Sequence, residues 1–356
     1  MVGAVVVQGD EIVGRGWHRQ VGGPHAEVEA LRAAGDRARG ATLYVTLEPC
    51  VHHGRTPPCT DAIVAAGIAR VVACHRDPDP RVSGRGFALL EKAGIQVQVG
   101  ELAREAVRLN LRFLVAATYQ RPEVTLKWAM SLDGRIATAN GESQWISSPA
   151  GRRWGLALRE EHDATLAGSG TVLADDARLD RRLGLAAGPG LRVILDRRLR
   201  VAPEARLFTA LGPVLIYTGS SAAAEKAERR RALEERGAQV AVLPAGGPSA
   251  SNIELETMLA DLYARGVRSV LVEGGSELHG SFVTTGCYDR VAIDCAPLLI
   301  GGREAPGPLG GAGFAALAAA ARLDGLTARK VRGGGDLILT GYRTGCLPDL
   351  YTSVGA

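Results

Sequence analysis

Two blocks of alternating strand and helix patterns constrain this 356-residue chain more than any other feature. In the first block, apolar runs such as ATLYV and ARVVA are followed by segments with helical spacing, CTDAIVAAG and GFALLEKAG. Strands that are regularly separated by helices predict βαβ units and a largely parallel sheet with helices on its faces. Each block is therefore predicted to be an α/β domain.

The two blocks are divided near residue 119. The pattern predicts a helix over residues 101–118, and Gln120, Arg121 and Pro122 end it. A new pattern begins at VTLKWAMSLDGRIAT and continues through the strand-like runs LRVILDRR and RSVLVEGG. We predict domains at residues 1–118 and 119–356, which agrees with a length of about 150 residues per domain.

Composition excludes several classes of protein. The net charge of +4 gives no support to nucleic-acid binding. There is no uninterrupted apolar run of about 18 residues, so a membrane span is not expected. The N-terminus has no basic region before its first acidic residue, unlike a signal peptide. Six scattered cysteines do not resemble a disulfide framework, and we expect a cytoplasmic protein.

Three residues have the types and positions of zinc ligands. His25 precedes a predicted helix, Cys50 follows a predicted strand, and Cys59 begins the next helix. One imidazole and two thiolates leave the fourth tetrahedral position open for water, as in catalytic zinc sites. A structural site usually has a fourth Cys or His, and only His52 and His53 lie nearby. We predict one catalytic Zn²⁺ per chain.

Glu27 lies two residues after His25, close to the metal without being a ligand. There it can take a proton from water and pass it to a ring nitrogen and a leaving amine. The pattern His-x-Glu followed by Pro-Cys is the signature of zinc-dependent deaminases. Taken singly, such a histidine more often caps a helix, and such cysteines are more often buried apolar residues. A non-catalytic, zinc-stabilised binding protein is the alternative from another class.

Eight residues separate the cysteines, and here the sequence resembles a known family. TLEPCVHHGRTPPC, GGPHAEVEALRAAG and DPDPRVSGRGF resemble the bifunctional riboflavin-biosynthesis deaminase–reductases of bacteria. KWAMSLDGRIATANGESQWISS, TVLADD and VEGGSELHGSFV are similar to the reductase half. The resemblance covers essentially the whole chain. It implies an N-terminal cytidine-deaminase-like three-layer α/β/α domain and a C-terminal dihydrofolate-reductase-like α/β domain.

The resemblance also implies two consecutive reactions. The first hydrolyses the amine of 2,5-diamino-6-ribosylamino-4(3H)-pyrimidinone 5′-phosphate, and the second uses NADPH to reduce the ribosyl group to ribityl. The loop between the cysteines contains donors that could meet the phosphate or ribose. An arginine in a loop is otherwise most often a solvated charge, and the family commonly has Asn at the position of Asp79. The expected deaminase substrate contacts are His52, Arg55, Thr56, Asp77 and Asp79.

The second domain has no Gly-x-Gly-x-x-Gly after a strand, which argues against a Rossmann dinucleotide site. Gly168 and Gly170 follow one apolar strand, and Gly274 and Gly275 follow another before a helix, where amides suit a phosphate. Such turns also occur for backbone geometry alone. The resemblance implies NADPH contacts at Ala129, Trp145, Thr171, Asp175, Gly275, Ser276, Glu277, Leu278, His279, Gly280 and Ser281.

The reductase substrate contacts rest on the same resemblance, and DDARLDRRLG departs from the family's usual DDPxLTxR. Lys127 has the alternative of a surface lysine at a strand end. Hydride transfer needs geometry more than an acid or base, so no catalytic residue is assigned to this step. The expected contacts are Lys127, Ser143, Arg159, Leu179, Arg182 and Glu273.

Other interpretations remain open at this point. A nucleoside or RNA deaminase with an accessory domain is disfavoured by the eight-residue loop and the weak net charge. In the family, a helix and a Pro-Asn-Pro turn precede the strand that here begins at Met1. We therefore expect the N-terminal helix to be missing, with a late-assigned start codon or a deaminase half that is inactive beside a working reductase. A homo-oligomer, dimer or tetramer, is expected through the reductase domain.

Overall fold

The computed structural model describes residues 1–20, 22–54, 56–79, 81–246, 252–253 and 255–346. These residues form two compact units, Met1–Tyr119 and Gln120–Cys346. Each unit is built on its own β-sheet with helices packed beside it. Among the described residues, no helix has both the length and the apolar character that crossing a membrane requires.

The first unit contains a five-stranded sheet in the order β2-β1-β3-β4-β5. Its elements are β1 (Gly3–Gln8), β2 (Glu11–Trp17), α1 (Ala26–Ala34), a 3₁₀ turn (Gly35–Ala38), β3 (Thr42–Val45), α2 (Cys59–Ala65), β4 (Arg70–Ala73), α3 (Arg85–Lys92), β5 (Gln96–Val99), α4 (Ala103–Leu109) and α5 (Leu111–Tyr119). β3, β4 and β5 are parallel, whereas β1 is antiparallel to both β2 and β3. The sheet is therefore mixed rather than largely parallel, because a tight hairpin reverses the chain at Gly9 and Asp10.

The helix expected over residues 101–118 is two helices, α4 and α5. Asn110 ends α4 with φ −108° and ψ 14°, and its N–H donates to the carbonyls of Ala106 and Val107. Asparagine has low helix propensity because its side chain competes for backbone hydrogen bonds. One polar residue therefore divides a segment whose flanking apolar pattern is helical throughout.

Two glycines in β2 allow α1 to pack directly on the strand. A Cβ at Gly14 would lie 2.2 Å from the Ala30 carbonyl oxygen, and a Cβ at Gly16 would lie 2.2 Å from that of Ala26. Both obstacles are helix backbone and cannot move aside like a flexible side chain. The glycines thus fix the distance between β2 and the first turn of α1, which carries His25 and Glu27.

Gly16→Ala is expected to displace the first turn of α1. Overpacking against helix backbone costs about 1–3 kcal/mol of unfolding free energy. We expect a lower melting temperature of the first unit and less bound zinc, measured by calorimetry and metal analysis. Gly9→Ala is the matched control: a Cβ there meets no atom within 4 Å, so it tests backbone strain at φ 59° without a clash. Full zinc occupancy in the Gly16→Ala variant would contradict the prediction.

The second unit contains a nine-stranded sheet in the order β10-β9-β8-β7-β13-β6-β14-β16-β15. Its elements are β6 (Glu123–Ser131), α6 (Pro149–Glu161), β7 (Ala164–Gly168), α7 (Ser169–Asp175), β8 (Leu191–Leu195), a 3₁₀ turn (Arg206–Thr209), β9 (Val214–Gly219), α8 (Ser220–Glu225), α9 (Ala227–Glu235), β10 (Ala238–Leu243), the two-residue strands β11 (Ala245–Gly246) and β12 (Asn252–Ile253), α10 (Leu255–Ala264), β13 (Ser269–Val272), α11 (Ser276–Thr285), β14 (Arg290–Ala296), a 3₁₀ turn (Leu317–Ala319), β15 (Leu323–Lys330) and β16 (Leu337–Arg343).

In this sheet, the neighbouring strands β10, β9, β8, β7, β13, β6 and β14 are all parallel. The other two strands, β16 and β15, add antiparallel pairs at one edge. The central strands are buried along most of their length, as expected when helices cover both faces of a parallel sheet. The carboxyl ends of β7 and β13 lead directly into α7 and α11. Ligands of open α/β sheets bind at this edge, outside the carboxyl ends of the strands.

Candidate metal centre and cofactor cleft

The structure brings His25, Cys50 and Cys59 together in the first unit. Their ligand atoms all lie within 4.8 Å of one another. The His25 Nδ1 is 3.1 Å from the Cys59 Sγ and 3.5 Å from the Cys50 Sγ. A nitrogen and a sulfur on one tetrahedral zinc ion lie about 3.6 Å apart. The donor set and its spacing therefore fit zinc.

Local structure places each of these residues. His25 is the N-cap of α1, Cys59 is the first residue of α2, and Cys50 follows β3 by way of Glu48 and Pro49. The Cys59 backbone N–H also donates to the Cys50 Sγ at 3.3 Å. A thiolate is stabilised by such a donor at a helix start. This hydrogen bond links the two cysteines directly through the protein.

The second ring nitrogen of His25 has its own partner. The Thr56 hydroxyl lies 3.4 Å from the His25 Nε2, so an Nε2–H can donate to the Thr56 oxygen and leave the Nδ1 lone pair free. Partners of this kind fix the tautomer and orientation of a metal-binding histidine. Thr56 stays a predicted substrate contact, and its hydroxyl lies beside the ring of His25, a predicted metal ligand.

Glu27 faces the cluster from the first turn of α1. Burial raises the pKa of its carboxyl group, which is 3% exposed, and the Cys59 thiol lies within hydrogen-bonding reach of it. The Oε2 atom is buried and has no hydrogen-bond partner among the residues that the structure describes. A buried acceptor without a partner is costly, and a water on a metal at this cluster would satisfy it. The geometry of Glu27 thus supports the fit of zinc.

Glu48 ties the segment that carries Cys50 to the loop after β4. Its buried carboxylate accepts the backbone N–H groups of Asp77, Gly84 and Gly86, at 3.2, 2.9 and 2.8 Å. A Cβ at Gly86 would lie 2.2 Å from the Pro49 carbonyl oxygen, so the two segments are in close contact. The sequence did not reveal these hydrogen bonds of Glu48, although Glu48 is two residues before Cys50.

The expected deaminase substrate contacts behave differently from one another. Asp77 is buried, and burial raises the pKa of its carboxyl group to about 6. The Asp79 carboxylate instead accepts hydrogen bonds from Arg81 at 2.6 to 3.1 Å, which lowers its pKa to about 2. The buried Nδ1 of His52 has no hydrogen-bond partner within the described ranges of the chain. Arg55 lies outside the described residues.

His18 was not singled out by the sequence but lies at this centre. Its ring is 5.5 Å from the ring of His25 in an edge-to-face arrangement, and its Nδ1 is 3.2 Å from the Pro24 carbonyl oxygen. The neighbouring Trp17 is more than half exposed and stacks with Arg19. These residues lie at the end of β2 or just after it. The connection between β2 and α1 brings them next to His25.

In the second unit, a cleft of about 730 Å³ opens at the carboxyl ends of β7 and β13. A Cβ at Gly170 or at Gly275 would meet no atom within 4 Å, so both glycines expose backbone to open space. Backbone amides at the start of α11 suit a phosphate. The shorter helix α7 does not support the same conclusion from its dipole. The expected cofactor residues that line the cleft are Thr171, Gly275, Ser276, Glu277, Leu278 and Ser281.

Three arginines in the same cleft were missed at the sequence level. Arg197, Arg198 and Arg200 follow β8 and line the cleft opposite α11. The Arg200 side chain also donates to the Ser169 hydroxyl at 2.9 Å. The signal was present, since LDRRLR places several cations directly after an apolar strand. Guanidinium groups at this position suit the phosphates of NADPH.

Two members of the expected cofactor stretch do not line the cleft. His279 is fully buried, and its Nε2 lies 3.2 Å from the Val272 carbonyl oxygen. A Cβ at Gly280 would lie 2.1 Å from the Gly310 carbonyl oxygen, so this glycine serves a close backbone contact. Both positions have one reason: α11 turns one face to the cleft and the opposite face to the protein interior. The two residues stay predicted cofactor contacts that do not line this cleft.

The remaining expected cofactor residues lie outside the lining of this cleft. Ala129 is on β6, paired with Asp294 of β14. Trp145 is exposed and stacks with Arg152, whose guanidinium carbon is 4.5 Å from the ring centre. Asp175 is hydrogen-bonded to Gln144, the neighbour of Trp145. The structure thus brings Trp145 and Asp175 near each other at the end of α7.

Lys127, Arg159 and Glu273 form a charged cluster in the second unit. Arg159 binds Glu273 through two hydrogen bonds of 2.7 and 3.0 Å, and the Lys127 Nζ is 3.8 Å from Glu273. Burial alone would raise the pKa of Glu273, but the charges of Arg159 and Lys127 outweigh burial and lower it to about 2. Lys127 is mostly buried within β6 and is not a surface lysine at a strand end.

The other expected reductase contacts are distributed around this cluster. The charge of Arg182 also lowers the pKa of Glu273, which places Arg182 near it. The Leu179 side chain is buried in the hydrophobic core, so only its backbone could face a ligand; its φ of 54° is unusual for leucine. Ser143 is half-exposed in the segment before α6.

Comparisons with known proteins agree with both halves. Residues 1–75 match the cytidine and deoxycytidylate deaminase zinc-binding region, and residues 122–334 match the RibD C-terminal domain. The riboflavin biosynthesis protein RibD of Bacillus amyloliquefaciens is 45% identical over 315 residues, covering 88% of this chain and 83% of that protein. The chain belongs to the RibD family of riboflavin biosynthesis proteins.

Two solved structures support the assignment to the family. Acinetobacter baumannii RibD has a TM-score of 0.75 at 36% identity and covers 96% of this chain and 92% of its own. A Thermotoga maritima diaminohydroxyphosphoribosylaminopyrimidine deaminase/5-amino-6-(5-phosphoribosylamino)uracil reductase has a TM-score of 0.74 at 34% identity and covers 96% and 91%. The chain is thus a bifunctional enzyme of riboflavin biosynthesis, with a cytidine-deaminase-like zinc domain and a dihydrofolate-reductase-like NADPH domain.

Proposed function

We propose that His25, Cys50 and Cys59 hold the zinc ion of the deaminase and that Glu27 carries its protons. The supporting observation is the convergence of the three ligand atoms beside the buried, unpartnered Oε2 of Glu27. When bound, zinc lowers the pKa of the attacking water to about 7. Thr56 orients the imidazole of His25, and the Glu48 carboxylate holds the Asp77 loop next to Cys50.

The proposed deamination follows from the position of Glu27. Its Oε2 takes a proton from the attacking water while the water oxygen bonds to the ring carbon that bears the amine. The electrons of the ring carbon–nitrogen double bond move to the ring nitrogen, which receives this proton from Glu27. Glu27 then carries the remaining proton of the added hydroxyl to the amine nitrogen, the carbon–amine bond breaks as the carbonyl forms, and ammonia leaves. The high pKa imposed by burial makes this carboxylate a better base than an exposed one. His52, Arg55, Asp77 and Asp79 are proposed contacts for the ribosyl phosphate.

For the reductase we propose that the cleft at α11 binds NADPH and that the Glu273 cluster binds the ribosyl substrate. NADPH supplies the hydride when bound. Glu273 holds Lys127 and Arg159 in place, so that their charges face the substrate without the entropy cost of ordering them at each binding event. Arg182 is proposed to contact the substrate phosphate. Ala129, Trp145 and Asp175 remain proposed cofactor contacts near Gln144 and β6.

A coupled assay on the purified chain tests the two-step function. Zinc content is measured together with ammonia release and NADPH oxidation, starting from the diaminopyrimidine ribosyl phosphate. We expect one zinc ion per chain and NADPH oxidation that follows ammonia release. Supplying the deaminated compound directly should bypass the first step. Ammonia release without NADPH oxidation, or neither signal from a zinc-loaded chain, would contradict the proposal.

Arg197 is proposed to recognise the 2′-phosphate of NADPH, together with Arg198 and Arg200. Arg197→Ala is expected to raise KM for NADPH about tenfold, because a charge-assisted hydrogen bond is lost. KM for NADH, which lacks this phosphate, should change little. Arg231→Ala, an exposed arginine on α9, is the matched control. An equal rise in KM for both cofactors would count against the assignment.

A homo-oligomer through the reductase unit is also proposed. Among the described residues, β15 is an edge strand that is exposed along all eight residues, and Leu326 within it is 61% exposed. Unpaired backbone groups and exposed leucines favour association with a second copy. Light scattering should give a multiple of the 37.3 kDa chain mass, and Leu326→Lys should reduce it. A monomer at micromolar concentration would contradict this proposal.

A cytoplasmic location is proposed as well, because thiol ligands that must stay reduced favour the cytoplasm.

A further inference from the structure

The buried carboxylate of Asp180 holds two arginine side chains, one on each oxygen. Arg178 donates from Nη2 to Oδ2 and Arg182 donates from Nη2 to Oδ1, both at 2.7 Å. The Asp180 side chain is 7% exposed, whereas those of Arg178 and Arg182 are 37% and 45% exposed. A guanidinium group has five N–H donors, so each arginine keeps donors for a further acceptor.

The backbone of this segment is held independently of Asp180. The Arg181 Nε donates to the Arg159 carbonyl at 3.0 Å, and its Nη1 donates to the Gly188 carbonyl at 3.1 Å. Glu160 accepts the N–H groups of Leu183 and Ala186 at 2.8 and 3.0 Å. These bonds anchor the segment to α6. The carboxylate of Asp180 is therefore not needed to fix the chain path, and its contacts serve the two arginines.

Asp180 also adjoins the cluster of Glu273. Its backbone carbonyl accepts a hydrogen bond from Arg159 at 3.2 Å, and Arg159 in turn binds Glu273. Lys127, Arg159, Arg178 and Arg182 outnumber the two carboxylates here, those of Glu273 and Asp180, and Arg192 also lies within the field of Asp180. The net charge of the cluster is therefore positive, which suits a phosphate monoester that carries about −1.5 to −2 at neutral pH.

We infer that Asp180 is a positioning residue: it fixes the guanidinium group of Arg182 where that group can bind the 5′-phosphate of the reductase substrate. Arg178 binds the other carboxylate oxygen and so helps to fix the orientation of the Asp180 side chain. The inference rests on the proposed reductase function. A held guanidinium loses less side-chain entropy when it binds phosphate than a free one. The charge of Asp180 alone would act in the opposite direction, since a carboxylate repels phosphate. The sign of the effect on phosphate binding therefore separates positioning from simple charge.

Asp180→Asn tests this. NADPH oxidation is measured with 5-amino-6-(5-phosphoribosylamino)uracil and with the same compound lacking its phosphate. If Asp180 positions Arg182, KM for the phosphorylated compound rises about tenfold, with little change in kcat or in KM for NADPH. The preference for the phosphorylated compound falls by the same factor. Asp180→Glu should recover part of it, and Arg178→Ala should show a smaller loss.

Asp176→Asn, an exposed carboxylate in the same segment, is the matched control. A lower or unchanged KM for the phosphorylated compound in Asp180→Asn would overturn the inference, as would equal losses for both compounds. Absence of NADPH oxidation by the wild-type enzyme would instead count against the proposed function. Calorimetric titration of inorganic phosphate into the NADPH-bound wild-type and Asp180→Asn proteins then decides on Asp180, because it needs no turnover: weaker binding by the variant supports the inference, and equal binding overturns it.

Discussion

Glu27→Gln is expected to abolish ammonia release while zinc remains bound. Glutamine keeps the size of the side chain but has no carboxylate oxygen to accept a proton where Oε2 stands, the atom without a hydrogen-bond partner in the described part of the chain. General acid–base catalysis by one such group contributes about 10²–10⁴-fold to rate. Ammonia release should therefore fall at least about a hundredfold, measured at saturating substrate with zinc content determined on the same sample.

The same variant should still oxidise NADPH when the deaminated compound is supplied, because Glu27 belongs to the first unit and the Glu273 cluster to the second. Glu29→Gln is the matched control, since Glu29 lies two residues further along α1 and pairs with Arg32 at the surface. Loss of zinc together with ammonia release would indicate that Glu27 supports the metal centre and not proton transfer. Normal ammonia release by Glu27→Gln would remove it from the mechanism.

Glu273→Gln is expected to stop the reductase while the deaminase continues. The substitution leaves Arg159 and Lys127 without their counter-charge in a mostly buried cluster. Breaking a buried pair by removing one partner costs about 3–5 kcal/mol. Both cations should then change position, and NADPH oxidation should fall by about a hundredfold or more, since loss of even 2.7 kcal/mol of organised interaction has that effect.

Ammonia release from the same sample shows that the first unit is folded, and thermal unfolding measures the loss of stability of the second unit, which contains Glu273. Glu235→Gln, an exposed carboxylate on α9, is the control. Because the pKa of Glu273 is about 2, its ion pairs persist throughout the usual assay range and fail only as the pH approaches that value. Reductase activity that survives Glu273→Gln at neutral pH would show that the cluster does not organise the substrate.

The convergence of His25, Cys50 and Cys59 beside Glu27 could be predicted from the sequence because the residue types and spacing of such a group are set by coordination chemistry. A tetrahedral ion that keeps one open position needs three ligands of these types, and a proton carrier must stand close to it. The alternation of strands and helices likewise follows from local patterning, and two α/β units are found. The mixed strand directions of the first sheet and the interruption at Asn110 depended on a hairpin and on one polar residue.

The partners of the predicted residues depended on tertiary structure. Nothing local relates Glu48 to the amides of the loop after β4, nor Thr56 to the far nitrogen of His25. The orientation of α11 decides that Ser276 lines the cleft at the end of β13 while His279 is buried, although both lie in one matching stretch. The sequence by itself determined the chemistry, because metal binding and proton transfer restrict residue types. Only the tertiary structure decided which side chains meet, because contacts between distant segments depend on how the whole chain packs.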